Sequence, residues 1–241
     1  MSWSPIVELR QYALRPGARD SLISLFDAEF VESQEDVGMK IIGQFRDLDE
    51  PDRFTWLRGF PDMAERERSL IAFYSGPVWQ ANGAAANATM IDSDDVLLLK
   101  PARTGSAFTP SDRSQPRGFV EATILYLENA EQSDEMVSRF ESEVAPVVAD
   151  DGGTVLGYFV TESSPNTYPA LPVREGEHVL VSFVGLYEAR DLSARRPFET
   201  LGHFETLGLA RPPQVLLLAP TSRSALHGQS PPCEATRKET R

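Results

Sequence analysis

The sequence predicts an α+β protein in which a single βαββαβ unit is used twice. Two observations predict it. The stretches Val96-Leu97-Leu98-Leu99-Lys100-Pro101 and Val215-Leu216-Leu217-Leu218-Ala219-Pro220 are nearly the same hexapeptide. The segment before each shows the same order of strand, helix, strand, strand, helix, strand when read by hydrophobic period. Shared features therefore report on architecture, and differences between the copies report on chemistry.

In the first copy, Ile6 to Leu14 alternates and is rich in residues that favour strands, and Pro16-Gly17 ends it. From Ala18 to Asp36, the spacing of Leu22, Leu25, Phe26 and Phe30 is that of an amphipathic helix, and Gly38 is placed to stop it. Strands follow at Lys40 to Arg46 and Arg53 to Phe60, joined by a turn rich in Asp and Pro. Helices are expected from Met63 to Tyr74 and from Val78 to about Met90, and the first copy closes with a strand from Val96 to Lys100.

Residues 102–117 carry Pro, Gly, Ser, Thr and Arg and read as a linker. The second copy opens with a strand from Phe119 to Leu127. Asn129 and Gln132 form a capping pair for a helix whose apolar side holds Met136, Val137, Phe140, Val144 and Val148. Strands are expected at Thr154 to Val160 and His178 to Tyr187, across a longer loop containing Pro. A helix from about Leu192 to Leu207 then leads to a last strand, Gln214 to Leu218. The expected division is residues 1–101 and 118–220 for the two ferredoxin-like domains, and 221–241 for a polar, disordered tail.

Such a unit leaves one sheet face bare, and the economical partner is the bare face of the other copy. Two facing sheets give a closed α/β barrel with a shared interior, formed here as a pseudo-dimer within one chain. Homo-oligomers through outer surfaces stay open.

The copies disagree in polar positions. Glu8, Arg10 and Tyr12 lie against Glu121, Thr123 and Leu125, and Trp56 and Arg58 lie against Ser182 and Val184. Glu8, Arg10 and Tyr12 share one strand face, Val7 and Leu9 the other. The apolar side should meet the helices, so the polar side should face the barrel interior. One reading is a polar pocket in the first copy, with Arg58 and Arg10 binding an anionic or carbonyl group, Tyr12 as acid, Glu8 as base and Trp56 as a wall. Gln44, Tyr74 and Trp79 would complete the ligand site. The other reading is a structural ion-pair network. Arg46, also replaced in the second copy, sits at a strand end and suits the surface.

Bulk composition narrows the classes. A net charge of −13 argues against nucleic acid or an anionic membrane as partner. No run is long and apolar enough for a membrane span, and a cytoplasmic setting is expected by default. The single Cys233 excludes an internal disulfide, and His178, His203 and His227 are scattered, so no metal site is expected. Nucleophile-elbow, P-loop and dinucleotide-binding motifs are missing. The acidic run Asp92 to Asp95 reads as a solvated turn.

Several motifs occur in order with family spacing: Glu8-Leu9-Arg10 with Tyr12, Pro16-Gly17, Gly43-Gln44-Phe45, Pro51 to Phe60 and Phe73-Tyr74 with Gly76-Pro77 and Trp79. They resemble the NIPSNAP family over residues 6–101, and residues 119–220 look like a degenerate second copy. The resemblance implies a dimeric α/β barrel. Related barrel families include cofactor-free monooxygenases, haem-processing enzymes and small isomerases or dehydratases. No histidine falls in the first half to supply the usual axial ligand of haem, and no cofactor is expected. The expected function is binding, and possible transformation, of a small anionic or carbonyl-containing molecule in a polar barrel pocket. The alternative is a non-catalytic barrel that binds a ligand or a protein.

Overall fold

The computed structural model describes residues 4–109, 113, 117–187 and 208–228. Eight strands run in order β1 (Ile6–Leu14), β2 (Lys40–Asp47), β3 (Arg53–Phe60), β4 (Met90–Pro101), β5 (Phe119–Leu127), β6 (Thr154–Thr161), β7 (His178–Leu186) and β8 (Leu209–Pro220). They close into one antiparallel barrel in the spatial order β1-β3-β2-β8-β5-β7-β6-β4. The chain is thus two tandem ferredoxin-like copies sharing a single barrel.

On the first copy's helical side lie α1 (Arg19–Leu25), α2 (Val31–Glu35), α3 (Met63–Tyr74) and α4 (Pro77–Thr89). Asp62 caps α3 by accepting from the Glu65 N–H, and Pro77 sits in the first turn of α4. The second copy supplies α5 (Ser133–Arg139) and α6 (Ala145–Asp150). Its Asn129 accepts from the N–H groups of Glu131 and Gln132, the capping pair expected from sequence, while the Gln132 side chain reaches back to the Glu128 N–H. The helix expected over 192–207 lies outside the described residues.

The duplication extends to irregularities that periodicity does not reveal. The expected single helix over 18–36 is interrupted by a π-helical turn at Phe26–Phe30, and the second copy repeats it at Phe140–Val144. This extra turn brings two aromatic residues, Phe26 and Phe30, onto the buried side of the first copy. Each second strand carries a register shift at equivalent points, between Ile41 and Gly43 and between Val155 and Gly157.

The hexapeptides mark where the copies exchange strand ends. Lys100 and Pro101 of β4 pair with β6, and Ala219 and Pro220 of β8 pair with β2. The chain beyond each continues across the other copy's bulge. The Leu226 N–H donates to the Ile42 carbonyl at 2.7 Å, and the Tyr158 N–H donates to the Ser106 carbonyl at 3.0 Å. Phe108 and Leu226 are buried in the barrel core. A linker at 102–117 and a disordered tail from 221 were the expectations. Instead, the start of each packs inside the barrel, because each carries one large apolar side chain that the barrel's interior buries.

The sidedness of the strands also corrects the sequence reading. Val7, Leu9, Phe45, Leu57, Val120, Ala122, Phe159 and Phe183 form one cluster filling the barrel. Tyr12, Trp56, Leu98, Phe26, Phe30, Leu70 and Phe73 form a second, between the sheet and the first copy's helices. The apolar face of β1 therefore turns inward to meet the other copy. Glu8, Arg10, Tyr12, Trp56 and Arg58 lie beneath the helices, on the face of the sheet turned away from the barrel interior. A dry interior shared by two sheets takes the apolar faces. Charges are tolerated where helix side chains can pair with them.

Candidate functional site

Register brings the polar residues of β1 and β3 together. Glu8 pairs with Arg58 and Arg10 with Trp56 across the two strands, so their side chains emerge on one face. Glu8, Arg10 and Arg58 are each 0% exposed, as is Arg66, which α3 adds from above. Both Glu8 oxygens are taken. Oε2 accepts from Arg58 Nε at 2.7 Å and from Arg10 Nη1 at 2.8 Å, and Oε1 accepts from Arg66 Nε at 2.6 Å.

Burial pushes the Glu8 carboxyl upward, but Arg58, Arg10 and Arg66 together outweigh it and hold the carboxyl far below its ordinary range. Glu8 is thus a fixed carboxylate, a counter-ion to three guanidinium groups. That geometry takes it out of the general-base role the sequence suggested. Arg66 escaped the sequence reading, although a signal existed: it lies on the α3 face that also carries Leu70 and Phe73, both buried.

Three guanidinium groups against one carboxylate leave an excess of buried positive charge. Part of it is absorbed by neutral acceptors. Arg58 Nη1 donates to Gln34 Oε1 at 3.1 Å, and Arg66 Nη1 donates to Asn166 Oδ1 and Thr167 Oγ1 at 3.0 and 3.2 Å. Trp56 lies between two cations, with the Arg58 and Arg10 guanidinium carbons 5.1 and 5.7 Å from its ring centre. Arg58 Nη2 and Arg66 Nη2 have no hydrogen-bond partner among the described residues.

The cluster reaches a cleft through Arg10, which donates to Tyr12 and, from Nη2, to the Ser93 carbonyl at 3.5 Å. Arg10 Nε donates to the phenolic oxygen of Tyr12 at 3.0 Å, and Tyr12 lines a cleft of about 430 Å³ between α4, the start of β4 and the loop over 162–177. Burial raises the Tyr12 phenol above its ordinary value, with Arg10 opposing, so it is a neutral donor near neutral pH. Tyr74 and Trp79 wall the cleft at right angles to each other, 4.7 Å between ring centres and 78° between planes. A second, smaller cavity of about 30 Å³ shares Tyr12, Tyr74, Trp79 and Met90 with the cleft and is lined also by Gln34 and Trp56.

Of the sequence-predicted residues, Tyr12, Tyr74 and Trp79 meet at the cleft, and Trp56 lines the smaller cavity beside it. Glu8, Arg10 and Arg58 stand behind them. Gln44 lies opposite Trp56 on β2, buried, with side-chain oxygen and nitrogen unpaired among the described residues and no part in the cleft lining. Arg46 pairs with Asp20 at the surface.

Two cleft features were not legible in sequence. Asp94, read as part of a solvated turn, lines the cleft. So does Tyr168, from the second copy's long loop, stacked on Tyr74 at 5.9 Å and 15°. Among the described residues, no three His, Cys, Asp or Glu side chains cluster as a metal ion would need. No described helix is long and apolar enough to cross a membrane.

Comparison with known proteins agrees with the fold. A protein of Lactobacillus acidophilus, provisionally assigned as a monooxygenase, is 16% identical, with 94% of this chain and 98% of that one covered at a TM-score of 0.56. A similarly assigned protein of Fusobacterium nucleatum is 10% identical, with 95% and 98% covered at a TM-score of 0.60. At these identities the likeness is one of fold. No curated protein is significantly similar in sequence. The NIPSNAP family model matches residues 7–105, the copy that holds the arginines and the cleft. The likeness to the NIPSNAP family thus falls on the first copy, and a second copy within the same chain closes the barrel.

Proposed function

We propose that this protein binds a small molecule bearing a carbonyl or carboxylate oxygen in the Tyr12 cleft. The observation that carries this is the Arg10–Tyr12 hydrogen bond. Because the phenolic oxygen accepts from a buried guanidinium, its own proton is left for a ligand oxygen, and the excess positive charge behind it favours an anionic one. Glu8, itself held by Arg58 and Arg66, keeps Arg10 in place, while Tyr74 and Trp79 cover the ligand's apolar part. The same donor stabilises an enolate or oxyanion, so no metal is needed for that role.

A second reading, transformation of the ligand, draws on Asp94, the carboxylate among the cleft's lining residues. Tyr12 as donor and Asp94 as proton acceptor suit isomerisation or dehydration of an enolisable carbonyl compound. A thermal-shift screen of small carboxylates and ketones tests the binding reading. Hits should raise the wild-type Tm by several degrees and lose most of that shift in Tyr12→Phe; a screen without hits, or hits indifferent to Tyr12→Phe, would overturn it. Solvent deuterium exchange into a hit, abolished in Asp94→Asn, tests the second.

A further inference from the structure

The two copies differ most in the connection between their middle strands. In the first copy it is the short turn over 48–52. In the second it is the loop over 162–177, which leaves its own copy and lies on the other. Both feet are fastened to β4 of the first copy. The Glu162 N–H donates to the Leu98 carbonyl at 2.9 Å, and the Arg174 N–H to the Val96 carbonyl at 2.8 Å. The Arg174 side chain also pairs with Asp95 at 2.9 Å.

The crown of the loop is fastened to α3. Thr167 Oγ1 donates to the Met63 carbonyl at 3.3 Å, and Arg66 Nη1 grips Asn166 and Thr167 while its Nε holds Glu8. Within the loop, Asn166 Nδ2 donates to the Leu171 carbonyl at 3.0 Å and Asn166 Oδ1 accepts from the Tyr168 N–H at 3.1 Å. These bonds fix Tyr168 and Leu171 against the first copy's aromatic cluster.

We infer that this loop is the specificity-determining wall of the first copy's cleft, with Tyr168 selecting planar over puckered ring systems. The inference rests on the cleft being the ligand site proposed above. The second copy gave up the arginines and supplies the outer wall instead, contributing Tyr168, Ala170, Leu171 and Pro172 to the lining. Its Tyr168 ring lies nearly parallel to Tyr74, and both rings border the same space as Trp79. A flat conjugated ring makes full face or edge contact with such walls, whereas a saturated ring holds them apart with its axial hydrogens.

Calorimetric titration of the full chain with 2-naphthoate and decahydro-2-naphthoate isolates this property, because the two acids share a carboxylate and a bicyclic outline. Wild type should prefer the flat acid by about tenfold, a ratio that one or two aromatic ring contacts supply. In Tyr168→Ala the ratio should fall toward unity, and in Tyr168→Phe, which keeps the ring, it should persist. Equal binding of both acids by wild type would overturn the inference and leave the ligand site standing. So would a preference that survives Tyr168→Ala. Binding of neither acid would remove the site reading and this inference with it.

Discussion

Arg10 gives its Nε to the phenolic oxygen of Tyr12 at 3.0 Å, so that phenol is an acceptor toward the protein interior. Replacing Tyr12 by Phe strands a buried guanidinium N–H, and such an orphan costs about 1–3 kcal/mol. Urea melts of Tyr12→Phe should show a loss of that size with no ligand present. The phenol also titrates late, because burial, opposed by Arg10, raises it. A tyrosine raised in the fold keeps its stabilising effect below its ordinary value of 10.0 and loses it as pH climbs through the folded value. Absorbance at 295 nm should therefore show the same folded-state titration in wild type and Tyr12→Phe up to about that pH, with the Tyr12 signal arriving later or on alkaline unfolding. An extra tyrosinate in wild type below pH 10 would contradict the burial.

Glu8 predicts the opposite pH limb. Its carboxyl is depressed in the fold from an ordinary 4.5, so its stabilising effect is complete above that value and is lost as pH falls through the folded value. Wild-type stability should thus decline below about pH 4.5 with a contribution that Glu8→Gln lacks. At pH 7, Glu8→Gln leaves three buried guanidinium groups without a counter-ion and should cost about 3–5 kcal/mol, the usual penalty for breaking a buried ion pair. Chemical melts from pH 3 to 7 on both proteins check the pair of statements. Parallel pH profiles would show that Glu8 is not the titrating group.

Much of the fold was legible because local signals decide it. β1, β3 and β5 begin and end where alternation and turn residues say, and α3 runs from Met63 to Tyr74 as its period predicts. What failed was the face assignment. Alternation separates Glu8 from Leu9 but cannot say which side the helices take, and the decisive fact is nonlocal: Val120, Phe159 and Phe183 of the other copy need Leu9 as an apolar partner. The site was half legible for the same reason. Arg10, Tyr12 and Trp79 sit in contrasting or motif-bearing positions, whereas Arg66 with Asn166 and Tyr74 with Tyr168 are pairs joined only by folding.

Closure of the barrel within one chain predicts its state in solution. Among the described residues every strand has two neighbours in the ring, so the halves need no second chain to close the barrel. Light scattering coupled to gel filtration should give the mass of a single folded chain. A dimer that dissociates only with unfolding would mean that the halves pair between chains instead.

The last prediction concerns the exchanged ends. Leu226 fills the barrel from the second copy's side, against the Cβ position of Gly43, and Phe108 fills it from the first copy's side, against that of Gly157. Each is reached by chain that crosses to the other copy, so each couples the halves. Leu226→Ala should cost about 2–5 kcal/mol and Phe108→Ala about 3–5 kcal/mol, the range for emptying a packed core site. Ending the chain at Pro220 removes Leu226 together with the Thr221 and Leu226 N–H bonds to Gln44 and Ile42. Its Tm should fall by roughly 5–15 °C on the usual scaling for a chain of this size. A chain ending at residue 228 keeps all three and serves as the control; equal melting temperatures for the two truncations would show that the second copy's arm does not hold the barrel shut.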